Sequence, residues 1–158
     1  MLILHVVVIC ILLIIFYEDL KYREVSIFLF PVLFISLSLI VFRQSTWQII
    51  AANFFNNVIY LILILGICFV YVYLRFRSLN LAAGLGWGDV LLLLTTAIWF
   101  ELTEFVLFTT TCFIVSLIIH LVFVRFSDLY RKHDSVPLAG FMSLCMVPWF
   151  LFDLYVHH

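Results

Sequence analysis

Two segments set carboxylates directly against long apolar runs: FYEDLKYREV at 16–25 and GLGWGDVLLL at 84–93. In the first, Asp19 follows an apolar stretch that starts at Met1; in the second, Asp89 heads a run of leucines. An ionised aspartate at the centre of a bilayer costs about 3 kcal/mol even on the lenient insertion scale, so an acid at membrane depth is a candidate for function. If the two acids meet, their chemistry is specific. Neighbouring carboxyls cannot both ionise cheaply, so one keeps a proton while the other stays charged. The charged member can take a proton from water. The protonated member can hydrogen-bond a substrate carbonyl and later protonate the leaving amine. That is aspartyl proteolysis. The competing reading is structural: Asp89 caps the helix that it heads, and Asp19 ends a helix near water. On the residues alone the two readings stand level.

Gly84, Gly86 and Gly88 alternate just before Asp89. This spacing suits an extended or irregular backbone better than a helix interior. Such backbone is tolerated at membrane depth where protein buries it or water reaches it. An extended substrate segment along 84–88 would have room there, although a close helix crossing would carry the same glycines. The spelling G-x-G-x-G is not that of a nucleotide loop and has no βαβ context. Other hydrolytic chemistries find no support. There is no H-E-x-x-H, the histidines at 5, 120, 133, 157 and 158 are scattered, and no serine sits in G-x-S-x-G. Neither a metal nor another cofactor is expected. His120, inside an apolar span, is expected to hydrogen-bond a neighbouring helix. The other acids have solvated or interfacial placements: Glu24 beside Arg23, Glu101 and Glu104 in a loop, Asp128 and Asp134 in a basic loop, and Asp153 near the end of a span. Glu18 adjoins Asp19, but adjacent helix positions point about 100° apart, so the two cannot face one partner.

Composition dictates the elements that must hold these residues. Of 158 residues, 67% are hydrophobic and 11% charged, against roughly 25% charged in soluble domains. A small globule buries only about two-thirds of the surface that its chain exposes, so the lipid bilayer has to be part of the solvent. The expected fold is an all-α membrane protein, a single polytopic domain over 1–158. Its six transmembrane helices are expected near 2–17, 26–42, 54–74, 84–100, 105–125 and 136–156. Each span reaches about 24 Å or more, enough to cross the core with its flanks. The first is expected to be a retained helix, because no basic residue precedes Lys21. The stretch 43–57 reads as the outer loop plus a polar entry to the third span, with Trp47 at the interface. Lys21, Arg23, Arg75, Arg77, Arg125, Arg131 and Lys132 fall at or in the odd-numbered loops, and Arg43 alone falls on the other side. The positive-inside rule therefore makes the odd loops cytoplasmic and both termini external, with Asp19 and Asp89 at the same face. A net charge of −1 without a basic run leaves no footprint for nucleic acid. Cys10, Cys68, Cys112 and Cys145 lie in apolar stretches without a C-x-x-C pair and read as packing residues.

GWGDV at 86–90 resembles the G-x-G-D motif of the prepilin peptidase (type IV leader peptidase) family of intramembrane aspartyl proteases. DLKYREVSI at 19–27 resembles the family's first aspartate segment, and VPLAGFMSL at 136–144 resembles the start of its last helix. The three segments come in the family's order, and the six-span layout covers the whole chain. The resemblance implies Asp19 and Asp89 as the catalytic pair, selecting Asp19 over Glu18, with Gly84, Gly86, Gly88 and Pro137 shaping the site. It implies a prepilin-like protein substrate, cut after a short basic leader at the cytoplasmic face, and residence in the inner (cytoplasmic) membrane. The chain departs from the family's usual Ile-Pro-Asn at Val25-Ser26-Ile27, and Leu91 stands where a lysine commonly follows the motif. The zinc loop and methyltransferase function of the large members have no counterpart here, which implies a peptidase-only short form. An inactive homologue or a membrane scaffold in pilus or secretion assembly is the alternative class, in which Asp89 is a cap and the glycines mark a helix crossing.

Overall fold

The computed structural model describes residues 2–76, 86–126 and 138–156, and among them every regular element is an α-helix. These are α1 (Leu2–Tyr22), α2 (Leu29–Gln44), α3 (Trp47–Phe76), α4 (Trp87–Thr96), α5 (Leu102–Phe126) and α6 (Leu138–Val156). Among the described residues, three stretches can cross a membrane by length and composition: Leu2–Tyr22, Trp47–Tyr71 and Leu102–Ile119. The apolar stretches Leu29–Gln44, Trp87–Thr96 and Leu138–Phe152 are shorter. Large apolar side chains such as Ile3, Ile62, Ile67 and Leu74 are exposed, as the outward faces of such helices are when lipid is the solvent.

Buried positions on α1 are His5, Val8, Ile11, Leu12, Ile15 and Asp19. Steps of three and four place them on one face, and this stripe packs along α6. The buried residues of α6, including Ala139, Met142, Met146 and Phe150, repeat with the same spacing. His5 meets Phe150 edge-on at 6.3 Å between ring centroids, while Asp19 meets Gly140. The start of one helix therefore lies at the end of the other, and the pair is antiparallel. On α4, Asp89, Leu92, Leu93 and Thr96 share a buried face. Asp89 contacts Ala139, and Trp99, just beyond α4, packs on Phe150 at 4.5 Å, so α4 runs parallel to α6. At the end of the bundle away from the acids, Phe100 is ringed by Phe105, Phe108 and Trp149. Asn57 of α3 donates both amide hydrogens there, to Ala97 O at 2.8 Å and Phe100 O at 2.7 Å.

Several expected boundaries are corrected. The first helix continues past residue 17 to Tyr22, so Glu18 and Asp19 are helical. It stops where Arg23 turns left-handed, with φ 57, and donates its N–H to Asp19 O at 3.1 Å. The stretch 43–57 is mostly helix, because α3 begins at Trp47, whose ring stacks on Phe42 at 5.7 Å. Glu104 lies in the first turn of α5 rather than a loop, where its charge suits the positive end of the helix dipole. The fourth span, expected over 84–100, shrinks to the ten residues of α4. At about 15 Å that helix covers roughly half of a hydrocarbon core.

Candidate active site

The first N–H groups of any helix lack acceptors within it. In α6, which begins at Leu138, two of these donors are taken by acids from other helices. Ala139 N–H donates to Asp89 Oδ1 at 2.6 Å, and Gly140 N–H donates to Asp19 Oδ2 at 2.5 Å. Consecutive backbone nitrogens are about 3 Å apart, so the two bonded carboxylate oxygens lie within about 8 Å of each other. Both residues are buried, Asp19 to 7% and Asp89 to 6% exposure. Buried like charges repel, and the positive end of α6 offsets part of that repulsion.

Each helix delivers its acid for a local reason. Asp19 continues the stripe of α1 that faces α6. Asp89 is the third residue of α4, and its second oxygen, Oδ2, accepts the N–H of Gly86 at 2.9 Å. Gly86 is the extended residue, φ −71 and ψ 149, from which α4 starts. Asp89 is thus a cap and a member of the pair at once; the two readings of this residue exclude neither each other nor function. Glu18 points elsewhere, as its helical offset requires. Its carboxylate accepts Ser26 N–H at 2.8 Å and Ser26 Oγ–H at 3.2 Å. The connection from α1 to α2 is tied to Glu18 in this way, and Val25 within it lies against Gly88.

Asp19 and Asp89 are therefore brought together, with Gly86 and Gly88 beside them. Gly88 is helical, which corrects the expectation of an extended backbone through 84–88; among the described residues there, only Gly86 is extended. Gly84 and Pro137 lie outside the described residues, as does the side chain of His120. Among the described residues, no three His, Cys, Asp or Glu side chains gather as a metal site requires. Ala139 and Gly140 were not singled out from the sequence. Their contribution is backbone N–H, which every residue but proline carries, and the nearest signal was the glycine of the segment 136–144.

Neither the curated proteins nor the solved structures give a match to this chain. The profile of the type IV leader peptidase family matches residues 6–124. That segment contains both aspartates and the motif glycines Gly86 and Gly88, and it ends before α6, which supplies the two N–H donors. The chain belongs to the type IV leader peptidase family.

Proposed function

We propose that the protein is an aspartic endopeptidase that removes the short basic leader of prepilin-like subunits at the cytoplasmic membrane face, with Asp19 and Asp89 as its catalytic pair. Membership of the family makes it a leader-peptidase-like protease, and with its apolar helices a multi-pass membrane protein. One observation carries the aspartic mechanism: two buried carboxylates from different helices converge on adjacent N–H groups of a third. A water molecule can bridge two carboxyl oxygens about 5–6 Å apart. The charged carboxylate takes its proton as the oxygen attacks the scissile carbonyl. The protonated one hydrogen-bonds that carbonyl and then passes a proton to the departing amine. Burial strengthens each of these interactions relative to water.

The cytoplasmic assignment rests on charge. Lys21 and Arg23 sit at the end of the bundle that holds the acids, and Arg43 lies in the last turn of α2 at the opposite side. A bias of this sign supports an orientation with the acidic end inside. Co-expression with a prepilin-type substrate tests the function, with leader removal read as a mobility or mass shift. The wild-type chain is expected to cleave. Asp19→Asn and Asp89→Asn are each expected to abolish cleavage while remaining in the membrane at wild-type amounts. Cleavage at the wild-type rate by either variant would overturn the pair. A wild-type chain that cuts no prepilin-type substrate would favour the scaffold class.

A further inference from the structure

Glycine contacts differ sharply around the paired acids. A Cβ added at Gly66 would meet nothing within 4 Å. At Gly88 it would make ordinary contact with Val25, at 3.7 Å. At Gly86 it would stand 3.3 Å from Asp89 Oδ2, the movable tip of a side chain. At Gly140 it would stand 3.0 Å from Asp19 Oδ2, 3.2 Å from Asp19 Cβ and 3.5 Å from Asp19 Cγ. The last case is the severe one. Rotation can move a carboxylate oxygen, but Cβ is fixed to the backbone of α1, and α1 is packed along α6. A side chain at 140 would force α1 or the Asp19 side chain to give by a few tenths of an ångström.

We infer that Gly140 is a positioning residue for the aspartate pair: its missing side chain lets α1 approach the start of α6, and its N–H then fixes the Asp19 carboxylate beside Asp89. The catalytic part of this inference rests on the function proposed above. Gly140 lies outside the segment that matches the family and outside the G-x-G-D motif. Its role follows from contacts rather than from backbone freedom, since no described glycine has a positive φ. Alanine is also the better helix former. A Gly140→Ala substitution therefore gains helix propensity while displacing Asp19, and this separates an effect on geometry from a loss of folding.

Two measurements test the inference. In detergent-purified enzyme, Gly140→Ala is expected to lower kcat about tenfold, because Asp19 must give by a few tenths of an ångström and a misplacement of about 1 Å can cost about 100-fold. KM should stay within about twofold, because Gly140 acts through Asp19 and not on the substrate. Gly66→Ala, in open space, should leave both constants unchanged. The second measurement needs no activity. The chain has five glycines, so selective 15N-glycine labelling gives a spectrum of few amide signals. A carboxylate acceptor draws an amide proton downfield, and a neutral amide acceptor does so less. Asp19→Asn should therefore move the Gly140 signal upfield and leave that of Gly86 in place, while Asp89→Asn should move Gly86. A wild-type kcat in Gly140→Ala, or a Gly140 signal indifferent to Asp19→Asn, overturns the inference. If the wild-type chain cuts no substrate, the proposed function falls, and the amide signals alone decide whether Gly140 holds Asp19.

Discussion

Glu18 and Asp19 show how far a single helical step separates two identical chemistries. Asp19 falls on the stripe that α1 presents to α6, and Glu18 falls about 100° away, over the connection to α2. Glu18→Ala removes two hydrogen bonds to Ser26 at an exposed site, a loss of about 1 kcal/mol. It should lower the thermal midpoint slightly and leave cleavage within about tenfold of wild type, because the tethered loop only borders the site. Its neighbour's variant, Asp19→Asn, should cleave nothing. Parallel unfolding and cleavage assays on the two variants check the contrast, and equal losses of cleavage would count against it. The acids themselves were legible in the sequence, because a carboxylate beside an apolar run is costly and therefore conspicuous. Their meeting place was not. The groups that join them are backbone N–H donors on Ala139 and Gly140, which leave no signature in residue type.

Helix α4 shows why the elements were legible in kind but not in extent. Hydropathy runs unbroken from the glycines to Phe100, and so reads as one span. The helix ends at Thr96 all the same, and the turn that follows is itself apolar and buried, with Ala97, Ile98 and Phe100 all inside. A buried turn needs partners for its carbonyls. Asn57, 40 and 43 positions away on α3, provides them for Ala97 and Phe100. Nothing local in the sequence announces a turn whose polar groups are satisfied from another helix. Asn57→Ala leaves both carbonyls unpaired and should destabilise the protein by about 2 kcal/mol or more. Asn57→Asp keeps the shape but has no N–H to donate, and it sets a carboxylate against two carbonyl oxygens, so it should cost more than alanine. Thermal unfolding in detergent ranks the three proteins. An aspartate variant as stable as the wild type would show that these bonds do not hold the turn.

Over the whole molecule, the antiparallel pairing of α1 with α6 and the parallel run of α4 gather the end of one helix and the starts of two others at a single end of the bundle. That end also carries Lys21, Arg23 and the α1–α2 connection, whereas the turn between α2 and α3, with Arg43 and Trp47, lies at the other. The arrangement makes orientation and activity one question, since a leader cut on the cytoplasmic side needs the acidic end there. Basic residues resist translocation, so the end with Lys21 and Arg23 should remain inside. Glu24 and Ser45 are exposed positions on the two opposite connections. In a background with Cys10, Cys68, Cys112 and Cys145 replaced by alanine, Glu24→Cys should react with a membrane-impermeant maleimide only in inverted vesicles. Ser45→Cys should react in intact cells. The reverse pattern would put the aspartates outside, where a leader still on the cytoplasmic side cannot reach them, and would remove the cytoplasmic cleavage face from the proposed function while leaving the geometry of the pair intact.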